Sequence, residues 1–227
     1  MGELRNKPNF TTVTMYLTNF QRSLKLLGQL CSSPRDLIPY FRYSITNNSP
    51  LELELPWWSQ SAIREIQKHL NHSHNVFEWG SGGSSVFLAK RCKELTTIEH
   101  HPDWFEQVER ILKDKETSNS RLLLREINLE DEQAFLSSPY AQSLQSAYDI
   151  IVIDGEDHFG PESSWSARES CFYLAQEWIS KDGGLIIVDD SWRYPALREK
   201  TKSKKMVIHE SIGPCRKGVT PTDFHYY

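Results

Sequence analysis

Residues 76–90, VFEWGSGGSSVFLAK, read as a strand that enters Gly80-Ser81-Gly82-Gly83-Ser84 and passes at once into a helix. Glycine lets a chain turn sharply and brings its backbone close to a ligand, and a helix start offers unpaired N–H groups. Glu78 lies two residues before the first glycine. Glu99 ends the next strand, 17 residues beyond Gly82. A carboxylate so placed can accept hydrogen bonds from both hydroxyls of a ribose. The dinucleotide fingerprint GxGxxG is not met, because Ser85 occupies the place of the third glycine.

A second group of acids gathers farther along. Asp154 ends one apolar run, with Glu156, Asp157 and His158 behind it, and Asp189 and Asp190 end another. In an open α/β sheet the ligand lies outside the carboxyl ends of the strands. Five carboxylates at one rim repel unless a cation sits among them. An oxygen-only ligand set suits magnesium. The alternative makes Asp190 or Ser191 the N-cap of a helix through Trp192–Glu199 and leaves Asp154 without a metal. The pair His72 and His74 precedes the first strand, at the opposite rim, and reads as a solvated loop. Trp57-Trp58 and Trp192-Arg193-Tyr194 flank the expected cleft and read first as packing. The run Lys200–Lys205 reads as a solvated loop.

The elements that position these groups follow from periodicity. Val13, Tyr16, Leu17, Phe20, Leu24, Leu27 and Leu30 predict one amphipathic helix over 11–31. Ile63, Ile66 and Leu70 mark a second. From Asn75 onward, strands expected at Val76–Trp79, Leu95–Glu99, Arg121–Ile127, Tyr148–Ile153 and Gly184–Val188 alternate with helices. That alternation requires a parallel sheet covered on both faces. Lys205–Glu210 and Thr222–Tyr227, joined by SIGPCRKGVTP, add an antiparallel pair and bring the strands to seven. Residues 1–55 are expected to form a helical segment, a lid or a dimerisation element, ahead of one domain over 56–227. The 227 residues are 38% apolar and 25% charged with net charge −4, against a general nucleic-acid binder. No run reaches the roughly 18 apolar residues of a membrane span, and the start offers no signal-peptide core. Cys31, Cys92, Cys171 and Cys215 lie far apart, as reduced thiols of a cytoplasmic protein do.

The segment Glu78-Trp79-Gly80-Ser81-Gly82-Gly83-Ser84 resembles motif I of the class I S-adenosylmethionine-dependent methyltransferases. The similarity continues through TIEHHPDWF, YDIIVIDGEDH and GGLIIVDDSWR and covers about residues 56–227. It implies an α/β, Rossmann-like fold with a seven-stranded mixed sheet of order 3-2-1-4-5-7-6, the last strand antiparallel. It implies a cofactor, S-adenosylmethionine, held by Glu78, Gly80, Ser81, Gly82, Ser84, Ser85, Glu99, His100 and Asp154. Glu78 would face the amino group of the methionine portion, Glu99 the ribose, and His100 the adenine. Asn128 or Glu130 could accept from the adenine amino group. Asp154, Asp189 and Asp190 match positions that hold magnesium in catechol and macrocin O-methyltransferase types, although the chain departs from the macrocin type around Glu156–His158. The expected function is O-methylation of a small molecule or glycan, with Asp154 and Glu156 as catalytic acids that remove the acceptor proton. A non-catalytic nucleotide-binding protein and a nicotinamide-dependent oxidoreductase are the alternatives. No nucleic-acid or membrane partner is expected, and a homodimer is open.

Overall fold

The computed structural model describes residues 19–44, 48–115, 117–156, 158, 163–216 and 218–227; Asp157 and the first eight positions of the helix expected over 11–31 lie outside them. The strands are β1 (Asn75–Trp79), β2 (Glu94–Glu99), β3 (Ser120–Leu124), β4 (Ile150–Ile153), β5 (Leu185–Asp189), β6 (Lys205–Ile212) and β7 (Val219–Tyr226). They form one sheet of order β3-β2-β1-β4-β5-β7-β6. The first five pair in parallel, and β7 runs antiparallel to both β5 and β6. Order and sense both match the expectation.

The helices are α1 (Asn19–Ser32), α2 (Leu37–Pro39), α3 (Pro50–Leu53), α4 (Gln60–His69), α5 (Gly83–Ala89), α6 (Pro102–Asp114), α7 (Glu132–Ser137), α8 (Ala167–Trp178) and α9 (Ala196–Lys200). Successive strand side chains point to opposite faces, so the central strands serve two cores. Val76, Ile150, Val152, Leu185 and Ile187 pack with α4, α5 and α6 through Ile63, Ile66, Phe87, Val108 and Leu112. Phe77, Trp79, Ile151, Ile153, Ile186 and Val188 pack with α7, α8 and α9 through Phe135, Phe172 and Leu197. Near-continuous apolar strands are what a sheet buried on both faces requires. The same alternation sends Glu78 to the α5 side, beneath the glycine turn.

Ser59, Asp131 and Ser166 cap α4, α7 and α8 by accepting from the backbone N–H three residues on. α7 has only six residues, too few to show a period, and was not expected. The helix expected over Trp192–Glu199 is divided. A 3-10 turn covers Ser191–Arg193, and α9 begins only after Pro195, whose ring and missing N–H oppose continuation. Segment 50–55 is laid over the start of α5. A Cβ on Gly83 would come within 2.3 Å of the backbone oxygens of Pro50 and Leu55, and Glu54 binds Lys90 and Lys115. α1 lies along β6 and β7, tied by Lys25 to Glu210 at 3.0 Å. Among the described residues no helix is long and apolar enough to cross a membrane. All four cysteines are free.

Candidate active site

The turn after β1 is held from three sides. Gly80 has φ +89°, and a Cβ there would lie 2.5 Å from the Asp154 carbonyl oxygen. Only glycine meets both conditions, because the left-handed backbone and the crossing of the β4 loop coincide. The Ser81 N–H and hydroxyl donate to Glu99 Oε2 at 3.1 and 2.6 Å. The Trp104 indole donates to Ser81 O at 2.8 Å. Gly82 N donates to Ser85 Oγ, which donates in turn to Glu78 Oε2 at 2.7 Å. Ser85 therefore does what a third glycine could not: it fastens the turn to the buried acid.

Glu78 is fully buried, and its Oε2 also accepts from Thr97 at 2.9 Å. Its Oε1 has no hydrogen-bond partner. Burial raises its pKa to about 7, although hydroxyls of Ser84, Ser85 and Thr97 pull the other way. The acid lies enclosed beneath the glycine turn, behind the wall of the neighbouring cleft. Burial also opposes ionisation of Glu99, but donors from His100, Ser81 and His101 outweigh it and hold its pKa below the ordinary value. The two acids of the motif thus differ: Glu99 is a stable anion, and Glu78 is poised near neutrality.

His100 spans the mouth of the cleft. Its Nε2 lies 2.9 Å from Glu156 Oε2 and its Nδ1 3.2 Å from Glu99 Oε1. Glu156 first, and Glu99 second, raise its pKa to about 9, so the ring is an imidazolium at neutral pH. Gly80, Ser81, Glu99, His100, Trp104, Asp154 and Glu156 border a cleft of about 620 Å³. Of the expected cofactor residues, Gly80, Ser81, Glu99, His100 and Asp154 border this cleft, as do the two expected catalytic acids Asp154 and Glu156, whereas Glu78, Gly82, Ser84 and Ser85 do not. Ser84 and Ser85 stand behind the turn, near Glu78. Asn128 and Glu130 do not border the cleft; the Asn128 side chain accepts from Glu130 N at 2.9 Å. His158 packs on Trp165, with ring centroids 4.1 Å apart.

The acids after β4 and β5 do have cations among them, but these are arginines. Arg216, from the loop between β6 and β7, donates to Asp190 Oδ1 at 2.7 Å and to Asp189 Oδ2 at 3.1 Å. Thr220 and Thr222 supply further donors, at 2.8 Å to Asp190 Oδ1 and 2.8 Å to Asp189 Oδ1. Arg168, on α8, lies 3.4 Å from Asp154 Oδ1 and donates to the backbone oxygens of Gly155 and Asp189. The Trp58 indole donates to Asp154 Oδ2 at 3.1 Å. Of the two readings of these acids, the magnesium one is not supported: the oxygens that would ligate an ion already face protein donors. Among the described residues no group of three or more His, Cys, Asp or Glu side chains could hold a metal. Adding magnesium is expected to leave Tm unchanged beyond the effect of ionic strength. A saturable rise in scanning fluorimetry would show that these oxygens are open to an ion.

Asp190 stands at the start of the 3-10 turn but gives it no side-chain cap. Its φ of +49° is left-handed and its carboxylate turns to Arg216. Burial opposes its ionisation, yet Arg216 holds its pKa below the ordinary range. Burial raises the pKa of Asp189 well above that range, and the nearby Asp154 charge adds to the rise. Asp154 is raised by burial too; Arg168 acts against this and Asp190 with it. Trp57 stacks on Arg216, the guanidinium carbon 4.7 Å from the ring centroid. Arg168 and Arg216 were not anticipated. The physical demand for a cation was readable, but the residues that meet it are remote in sequence.

No protein-family model matches the chain, and no curated protein matches its sequence. Solved structures do match its fold. A Streptococcus mutans protein assigned as a methyltransferase and solved in complex with SAH (S-adenosylhomocysteine) gives a TM-score of 0.51 at 10% identity, over 80% of this chain and 100% of its own. An rRNA methylase from Streptococcus thermophilus gives 0.51 at 12% identity, over 80% and 98%. A Clostridium thermocellum protein assigned as an rRNA methylase gives 0.51 at 12%, over 72% and 94%. With the sheet order and the motif I geometry, these similarities lead to one conclusion: the chain has the Rossmann-like fold of the class I S-adenosylmethionine-dependent methyltransferases.

Proposed function

We propose that the protein is an S-adenosylmethionine-dependent methyltransferase acting on oxygen of a small molecule or glycan. The observation that carries this reading is the pair of unlike acids at the glycine turn, with the unanswered Glu78 Oε1 beneath it and Glu99 at the cleft wall. Glu78 would face the ammonium of the methionine portion, Gly80 and Ser81 the neighbouring backbone contacts, and Glu99 the ribose hydroxyls. A ribose would compete for Glu99 Oε2 with the Ser81 hydroxyl, which donates there now. S-adenosylmethionine supplies an electrophilic methyl carbon when bound.

The chain's own task is to align the acceptor and remove its proton. Of the two candidate acids, Asp154 is better suited. Its raised pKa brings it toward the working pH, whereas the Glu156 carboxylate is already bound to the imidazolium of His100. Glu156 would then hold His100 across the cleft mouth. The net charge of −4 supports a small acceptor over the RNA that the rRNA methylases of the same fold act on. A nicotinamide reading is disfavoured by Ser85, whose hydroxyl links Gly82 N to Glu78 where that fingerprint needs glycine.

Calorimetric titration with S-adenosylhomocysteine and with NAD tests this directly. Micromolar binding of the first and none of the second is expected. Glu99→Ala should weaken S-adenosylhomocysteine at least tenfold, because two hydrogen bonds to a charged group contribute roughly 1.5–3 kcal/mol each. A folded Glu99→Ala variant that binds as tightly as the wild type would refute the ribose assignment. A chain that binds the homocysteine product yet methylates no hydroxylated acceptor would be a binding protein of this fold.

A further inference from the structure

α1 is amphipathic, but its apolar side faces outward. Lys25 and Gln29 lie toward the domain, where Lys25 meets Glu210 and Gln29 donates to Asp36 at 3.2 Å. Phe20, Leu24 and Leu27, spaced i, i+4 and i+7, form the opposite face and are 72%, 52% and 59% exposed. The turns that follow continue the pattern: Ile38 is 75% and Phe41 63% exposed, with Leu37 at 36%. Exposed large apolar side chains elsewhere in the described residues are scattered singly along the chain, as Trp57, Leu124, Trp178 and Ile208. Single exposed residues are ordinary, whereas a concentration on one segment marks a contact surface.

We propose that α1 and the turns through Phe41 form the interface of a homodimer. The exposed area favours a second copy of this chain as the cover. At their exposures the six side chains present about 600–700 Å² of apolar surface, close to the roughly 800 Å² per partner of a standard interface. A two-fold axis would let each such face cover the other, since an isologous contact joins identical patches. Arg22 and Lys25 lie on the other side of the helix, bordering a cavity of about 540 Å³ with Asp190, Trp192 and Arg216.

The proposal does not depend on methyl transfer, but it has a consequence for it. The cavity bordered by Arg22 and Lys25 opens on the acid rim through Asp190 and Arg216. A dimer would hold α1 in place as one wall of that cavity. Sedimentation of the full chain over a wide concentration range tests the interface. The wild type is expected at twice the 26.4 kDa chain mass, and the Leu24→Glu, Leu27→Glu double variant at the chain mass, with circular dichroism and S-adenosylhomocysteine affinity unchanged. Ile38→Glu, on a separate turn, should weaken the dimer independently and gives the answer if the double variant does not fold. A wild type that stays monomeric throughout overturns the proposal, and co-sedimentation of that monomer with anionic vesicles would assign the face to lipid. A dimer that persists in every folded variant also overturns it.

Discussion

Arg216→Met is expected to lower stability by about 3–5 kcal/mol at pH 8, the usual cost of removing one partner from a buried charge cluster. Arg216 is the cation shared by Asp189 and Asp190, and Asp189 is almost wholly buried. Methionine keeps much of the packing against Trp57 and removes the charge alone. The pH dependence identifies the cause. Without Arg216 the native pKa values of both acids rise further, while those of the unfolded chain stay ordinary. The native state then binds more protons than the unfolded state, so stability falls as pH rises through the carboxylate range and above. The deficit should therefore shrink toward pH 4, and adding Asp190→Asn should recover part of it at pH 8. Urea denaturation at several pH values measures both effects. A variant as stable as the wild type at pH 8 would show that the threonine donors suffice.

Glu78→Gln should separate stability from binding. The native pKa of Glu78 is about 7 against an ordinary 4.5. Its cost is absent below pH 4.5, grows between 4.5 and 7, and is complete above 7. The full difference corresponds to about 3 kcal/mol. Glutamine accepts the same Ser85 and Thr97 hydrogen bonds through its oxygen but brings a buried N–H₂ in place of Oε1, which offsets part of the gain. The variant should thus be more stable than the wild type by about 1–3 kcal/mol at pH 8, with no gain at pH 4. Its affinity for S-adenosylhomocysteine should fall at least tenfold if, as proposed, that carboxylate faces the ligand's ammonium. On the same proposal, binding to the wild type would expel the Glu78 proton, and affinity should decline as pH drops below 7. Calorimetry at pH 6.5 in buffers of different ionisation enthalpy should register that proton, and in Glu78→Gln it should vanish. Equal proton release by both proteins would assign the linkage to another group.

The sheet was legible because its residues obey one rule throughout. Apolar runs ending in acid or glycine alternate with helical periods, and both signals arise from neighbours in sequence. Glu78, the turn and Glu99 were legible for the same reason. What escaped depended on contacts between distant segments. Arg216 lies 27 residues from Asp189 and meets it only because β7 returns antiparallel beside β5. Its loop, SIGPCRKGVTP, has no local pattern that announces a charge partner. Arg168 lies on a helix whose spacing marks only the apolar side. The electrostatic argument for a cation at the rim was sound, and its chemical identity was the part that needed three dimensions. His100 was anticipated beside the adenine; its link between Glu99 and Glu156 requires β2 and the β4 loop to be seen together.

The indole of Trp104 has an optical consequence. Its N–H is fixed to Ser81 O and its ring borders the cleft. A purine entering beside it would quench its emission. Trp58, buried and donating to Asp154, emits from a dry environment and answers instead to the charge on that acid. Two of the seven tryptophans therefore watch the two halves of the site. Cofactor arrival should dim the contribution of Trp104, and loss of the Asp154 charge should shift that of Trp58. With Trp104→Phe as the blank, occupancy of the cleft becomes readable in a cuvette without any knowledge of the acceptor.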